Sequence, residues 1–283
     1  IVRRMSAVET LGSTTVICSD KTGTITENQM TVRRLWTDGQ TFEASGDGYQ
    51  PEGELRGADG EVVEERPDAL DRLLRIGVLS NNATLKEEDG RWRVEGNPSE
   101  GALLAVAIKA GMDIGPMRKD GQRLAEMPFS SDTKYMAILH SENEGMEHIA
   151  YVKGAPERIV EFCTHVLRDG KRERLGEDLR REIVEISEEY ASDALRVLAG
   201  AYREMPPDQD RLEEADVEDG LTLAGLWAMF DPPREETIQA VRDAKEAGIH
   251  PVMITGDHAT TALAIARQVG ITEGEKALTG ADI

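Results

Sequence analysis

Short apolar runs separated by polar turns set out the elements of this chain. Thr14–Asp20 (TTVICSD) is β-branched and largely apolar and ends in a polar turn, the pattern of a central parallel strand buried on both faces. His250–Thr255 (HPVMIT) repeats that pattern, with helical periodicity before it over Glu235–Ala247 and after it over Ala259–Val269. Alternation of this kind predicts βαβ units on a parallel sheet. The two regions lie at opposite ends of the chain, so they are expected to form one doubly wound domain with a large insertion. That divides the sequence into a first part at 1–33, an insertion at 34–221 and a second part at 222–283.

The insertion reads differently. Arg91–Glu95, Gln122–Phe129, Lys134–His140, Glu147–Val152 and Arg196–Tyr202 read as strands joined by short turns, which predicts an antiparallel sheet in an α+β domain. Helices are expected at Pro67–Leu79, Pro98–Gly111, Ala155–Phe162 and Glu177–Ala191. The second has start chemistry in Asn97 as cap, Pro98 at the first position and Glu100 three residues after the cap. Ala44–Gly60, rich in Gly and Asp, is expected to be a solvated loop.

Composition narrows the function classes. With 39% hydrophobic and 31% charged residues the 283-residue chain is globular rather than disordered. The longest apolar stretches, Leu221–Phe230 and Ala102–Ile108, fit a buried strand and a helix face and fall short of the ~20 residues of a membrane span. A net charge of −21 disfavours nucleic acid and anionic lipid as partners, and an anionic ligand needs a local cluster of Lys and Arg. Cys18 and Cys163 are far apart, which predicts reduced thiols, and Cys163 with His165 is too small a set for zinc. Ile1 and Thr279–Ile283 look like cut ends of something longer.

The chemistry-bearing run is Asp20-Lys21-Thr22-Gly23-Thr24, directly after a buried strand, where open α/β sheets bind ligands. An aspartate there can attack a phosphoryl group. Gly23 permits a sharp turn that presents backbone N–H groups, and Thr22 and Thr24 add hydroxyls. Thr255-Gly256-Asp257 ends the other parallel strand just before a helix and can help hold the same phosphoryl group. An isolated Asp in such a place would merely cap a turn.

DKTGT, with the longer run from Ile1 to Val32, resembles the P-type ATPases and within them the type II branch that includes the calcium pumps. The resemblance implies a partial HAD-like phosphorylation domain, ATP as substrate, Mg²⁺ held in part by Asp20 and the Thr22 carbonyl, and Asp20 as the phosphorylated residue. Phosphatases of the same superfamily carry a second Asp two residues after the nucleophile, where this chain has Thr22. Without that carboxylate an aspartyl-phosphate persists.

Four further segments match the family. Phe129-Ser130-Ser131-Asp132-Thr133-Lys134 resembles the segment whose ring stacks on adenine and whose Lys lies beside the nucleotide. Lys153-Gly154-Ala155-Pro156-Glu157 resembles the motif whose Lys lines the deepest part of the site. Glu100 matches a Glu that accepts from the adenine amino group, and Arg196 an Arg that touches the phosphates. Taken singly, Phe129 reads as core, Glu100 as a helix-start residue and each Lys as solvated. Asp231-Pro232-Pro233-Arg234 resembles the segment between the domains whose Asp and Arg bring them together around ATP, a plain turn being the alternative. The resemblance implies a cytoplasmic part of an integral pump of the cell membrane. The membrane helices, the actuator domain and the second half of the phosphorylation domain, with its further Mg²⁺ carboxylates, lie outside this sequence. The alternatives are a nucleotide-binding module without turnover and a soluble phosphohydrolase.

Overall fold

The computed structural model describes residues 12–282, apart from 47, 89, 121, 169, 194, 257, 258, 275 and 279–281. Its strands are β1 (Val16–Asp20), β2 (Thr31–Thr37), β3 (Gln40–Ala44), β4 (Leu55–Arg56), β5 (Thr84–Glu88), β6 (Arg91–Glu95), β7 (Gln122–Met127), β8 (Tyr135–Glu142), β9 (Glu147–Gly154), β10 (Cys163–Arg168), β11 (Lys171–Arg174), β12 (Arg196–Met205), β13 (Leu221–Phe230) and β14 (His250–Ile254). The helices are α1 (Asp68–Leu79), α2 (Pro98–Lys109), α3 (Ile114–Asp120), α4 (Pro156–Phe162), α5 (Glu177–Ser192), α6 (Glu214–Val217), α7 (Glu235–Glu246) and α8 (Ala259–Gln268). Two units divide these elements. One comprises Met30–Ala191 with Leu195–Phe230, and the other takes in the segments up to Gln29 and from Asp231 on.

The larger unit is a mainly antiparallel sheet in the order β4-β3-β2-β13-β12-β9-β8-β7, with β10 joining β13 in parallel and β11 pairing with β10. Helices cover both faces. Trp227 and Met229 of β13 pack with Leu70, Leu73 and Leu74 of α1 and Leu103 of α2, all buried. Their neighbours Leu226 and Ala228 face the opposite core with Ile159 of α4 and Ile183 of α5. That alternation explains why Leu221–Phe230 is apolar throughout, since each face of a strand covered on both sides must be apolar.

Residues 222–230 and 31–33, expected in the flanking parts, are instead strands of this sheet: Leu226–Phe230 pairs with Thr31–Trp36. An apolar run buried on both faces reads alike in parallel and antiparallel sheets, so only pairing separates the two. Arg91–Glu95 also differs. It pairs with β5 in a separate two-stranded sheet. The stretch expected as a solvated loop holds buried Tyr49 and β4 with buried Leu55. Among the described residues no helix is long and apolar enough to cross a membrane.

In the other unit β1 pairs in parallel with β14, with Asp20 opposite Ile254, and α7 and α8 flank β14 in sequence. The two strands make a two-stranded sheet. Both Cys18 and Cys163 are free thiols, the first exposed and the second buried.

Candidate functional site

Strand parity places the centre of the first candidate site. Along β9, Ile149 and Tyr151 face the α1–α2 side while Ala150 and Val152 face the other core. Lys153, the next residue on the first side, therefore meets the end of α1 and the start of α2. Its Nζ lies 2.7 Å from Glu100 Oε1 and also donates to the Ser80 carbonyl. Only 5% of Lys153 and 7% of Glu100 is exposed. Burial lowers the Lys153 pKa to about 8 from 10.5, and Glu100 opposes part of that fall.

Both helix ends favour this pair. The C-terminal carbonyls of α1 carry partial negative charge and the first turn of α2 carries partial positive charge, so the ammonium and the carboxylate each sit where the helix field stabilises them. The α1 end is satisfied by side chains: Leu79 O hydrogen-bonds His140 Nε2 at 3.0 Å, and Gly77 O accepts from Asn81 Nδ2 at 2.8 Å. Asn97 caps α2 by accepting from Ser99 N at 2.9 Å, as its sequence predicts. Glu100, however, turns away from the cap. Its Oε2 accepts from Asn82 N at 3.1 Å, which leaves the reciprocal half of a capping box unmade.

Other predicted residues gather at the same end of the sheet. Tyr135 pairs with Gly154 across β8 and β9, and Ala155 N donates to Lys134 O at 3.0 Å. A side chain at position 154 would meet that carbonyl at 2.5 Å, so glycine is required by close approach. Lys134 has a left-handed backbone (φ 62°), and its exposed ammonium lies 3.3 Å from Glu157 Oε1. Arg196 begins β12, is exposed, and shares strand parity with Leu198, which packs on the α1 side. Phe129 is 58% exposed in the loop after β7, so its ring is not core. The structure thus joins Glu100 directly to Lys153, sets Lys134 beside Gly154, and leaves Phe129 and Arg196 open to solvent.

Sequence reasoning missed a supporting layer. Asn81 is buried, donates to Glu100 O at 2.9 Å and accepts from Ala83 N at 2.8 Å, which ties the end of α1 to α2 and to the residue before β5. Arg118 donates to Ala83 O at 2.8 Å, and burial lowers its pKa. Ser80 Oγ is buried without a hydrogen-bond partner among the described residues. The available signal was the paired Asn81-Asn82 after an apolar helix, since Asn favours helix ends and turns.

The second candidate site lies in the other unit. Asp20 ends β1 and is exposed, and Thr255 follows the paired end of β14, so parallel pairing brings the two segment ends side by side. After Asp20 the chain turns through Thr22 (φ −76°, ψ 121°) and Gly23 (φ 75°), with Thr22 and Thr24 exposed. Gly256 is exposed, whereas Asp257 lies outside the described residues. Lys21 is buried, its ammonium 4.0 Å from Asp231 Oδ2. Asp231 is itself buried: its Oδ2 accepts from Thr26 Oγ1 at 2.6 Å and its Oδ1 from Gln29 N at 3.2 Å. Arg234 donates to Gly23 O at 3.1 Å, and Glu27 N donates to Pro232 O at 2.9 Å. The Asp231–Arg234 segment is therefore hydrogen-bonded to the loop that follows Asp20. Among the described residues no three His, Cys, Asp or Glu side chains converge as a metal site.

Residues 69–236 match the family described as the cytoplasmic domain N of P-type ATPases. The chain is 44% identical over 282 residues to the cation-transporting ATPase pma1 of Synechocystis, covering 97% of this chain and 30% of that protein. It is 38% identical over 270 residues to a calcium-transporting ATPase of Bacillus subtilis, covering 95% of this chain and 30% of the relative. Against a calcium-transporting ATPase of Listeria monocytogenes the identity is 40% over 284 residues, covering 100% and 30%. The chain thus spans about a third of the length of the curated relatives it matches.

Proposed function

This chain belongs to the P-type cation-transporting ATPase family, and on that premise we propose that it binds ATP and forms an aspartyl-phosphate as the cytoplasmic part of a membrane cation pump. The observation that carries the reading is Lys153, a lysine kept charged and buried by Glu100 at the sheet end where Lys134, Gly154 and Arg196 also lie. In a chain of net charge −21 this is where a polyanion finds converging cations. The exposed Phe129 ring offers a face for adenine, Glu100 an acceptor for its amino group, and Lys134 and Arg196 charge for the phosphates.

In the proposed reaction a carboxylate oxygen of Asp20 bonds to the γ-phosphorus. The bond from that phosphorus to the β,γ-bridging oxygen breaks, and ADP leaves with the oxygen. Thr22, Thr24 and Thr255, with the backbone around Gly23 and Gly256, supply donors for the phosphoryl oxygens, and Asp257 is assigned there by resemblance. Lys21, Asp231 and Arg234 hold the loop. With Thr at position 22, no second Asp activates water there, which favours a lasting phosphoenzyme over a phosphohydrolase.

Asp20 and the Thr22 carbonyl are hard oxygen donors of the kind Mg²⁺ takes, and they fit part of a shell that phosphates and water complete. When bound, the ion offsets charge on the transferring group. The β1–β14 pair with α7 and α8 supports a partial doubly wound, HAD-like unit. Calcium is the proposed cargo, because relatives bear that name. A second reading, nucleotide binding without turnover, is favoured by the open faces of β1 and β14.

Calorimetric titration of ATP into the chain tests the reading, with binding expected near ~1 mM, about −4 kcal/mol. A Lys153→Arg variant should keep binding while Lys153→Ala loses it. Absence of binding by the parent chain would remove the nucleotide site. Hydroxylamine-sensitive labelling by radioactive ATP, lost in Asp20→Asn, separates turnover from binding alone.

A further inference from the structure

Glu100 is held from two directions, and only one of them is its ion pair. Lys153 takes Oε1, and the backbone N–H of Asn82 takes Oε2. Asn82 is an exposed loop residue after α1, where a backbone N–H would ordinarily wander. Here its side chain is bonded at both ends. Arg123 donates to Asn82 Oδ1 at 2.7 Å, and Asn82 Nδ2 donates to Glu126 Oε1 at 2.7 Å. Arg123 closes the ring on Glu126 Oε2 at 2.5 Å.

The ring depends on an irregularity in β7. Residues three apart on a regular strand point to opposite faces. The pairing of β7 with β8 shifts between Arg123 and Ala125, where Arg123 lies opposite His140 and Ala125 opposite Leu139. The extra residue of this bulge restores Arg123 and Glu126 to one side, where both reach Asn82.

We propose that Asn82, Arg123 and Glu126 form a clasp that positions the Glu100 carboxylate and so sets the base preference of the nucleotide site. The proposal rests on the reading of Glu100 as the group that faces the base. At position 6 a purine presents either an amino donor, as in adenine, or an oxo acceptor, as in guanine. A fixed carboxylate oxygen accepts from the first and meets the second lone pair to lone pair. A carboxylate free to swing away loses that discrimination before it loses affinity. Arg123, Asn82 and Glu126 are therefore positioning residues, acting through Glu100 rather than on the ligand.

The test is a chemical-shift titration of the chain with ATP and, separately, GTP, for the parent, Asn82→Ala, Arg123→Ala and Arg123→Lys. Thermal midpoints are followed alongside. The expected result is an ATP:GTP affinity ratio that falls about tenfold in Asn82→Ala and Arg123→Ala, with part of it recovered by Arg123→Lys. A merely structural role would lower both affinities together and leave the ratio alone. An unchanged ratio with ATP still bound overturns the proposal. If the parent binds neither nucleotide, the proposed function fails and the base preference with it. Solvent exchange of the Asn82 amide in the ligand-free chain then decides the positioning alone: faster exchange in Arg123→Ala supports it, and an unchanged rate overturns it.

Discussion

The two units use the same kinds of residue to opposite effect. In β13 every residue from Leu221 to Met229 is buried, and helices close both faces of its sheet. In β1 and β14 the apolar side chains stay open: Val16 is 49% exposed, Ile17 42%, Val252 37% and Ile254 57%. A two-stranded parallel sheet with apolar residues on open faces is unusual, because parallel sheets are ordinarily covered on both sides. Cohesion in the larger unit comes from packing. In the other unit, polar ties from Thr26 and Gln29 to Asp231 hold the loop that follows Asp20.

The strongest way to break this contrast is Trp227→Ala. Removing a fully buried indole should cost ~3–5 kcal/mol and lower the unfolding midpoint of the larger unit sharply. A small change would mean that the packing does not carry the stability. Lys153→Ala comes next, because it strands a buried carboxylate. About 3 kcal/mol of stability should go with the proposed ATP site, and adding Glu100→Gln should return part of it.

Acidity sharpens the comparison further. With its folded pKa near 8 against 10.5 ordinarily, Lys153 holds fewer protons than the unfolded chain between those values. This group's contribution to stability therefore grows as pH rises through that window. Nucleotide affinity should move the other way, falling severalfold from pH 7 to pH 9 as the ammonium is lost, and Lys153→Arg should flatten that fall in the same titrations.

In the second unit Thr26→Val removes the 2.6 Å bond to Asp231 and should cost ~1–2 kcal/mol, read as faster amide exchange at Gln29. Ile254→Ser belongs at the bottom of the scale. With that side chain largely exposed, the change should stay within ~0.5 kcal/mol by chemical denaturation. A larger loss would show that something covers β14 in solution.

Periodicity made the helices legible: α1, α2, α4, α5, α7 and α8 each lie within a residue or two of their expected bounds. The strands β8 and β9 were legible too, as apolar runs on either side of the Asn143–Gly145 turn. The charged hairpin strands were not, since Thr84–Glu88 and Lys171–Arg174 have no buried face to impose alternation. Nor did β13 reveal its sheet, because burial on both faces erases the period. At the site, residue types pointed to Lys153 and Glu100. The Asn82 bond to Glu100, the bulge in β7 and the left-handed Lys134 leave no periodic trace.

Trp36, Trp92 and Trp227, together with all the Tyr and Phe residues, lie within positions 30–230, so the unit carrying Asp20 contains no Trp, Tyr or Phe. Near-ultraviolet absorbance and intrinsic fluorescence therefore watch the larger unit and are blind to the smaller. A melting curve recorded by tryptophan emission could show a single sharp step while the β1–β14 unit had already come apart unseen. An extrinsic dye on the exposed thiol of Cys18 would make that silent transition visible.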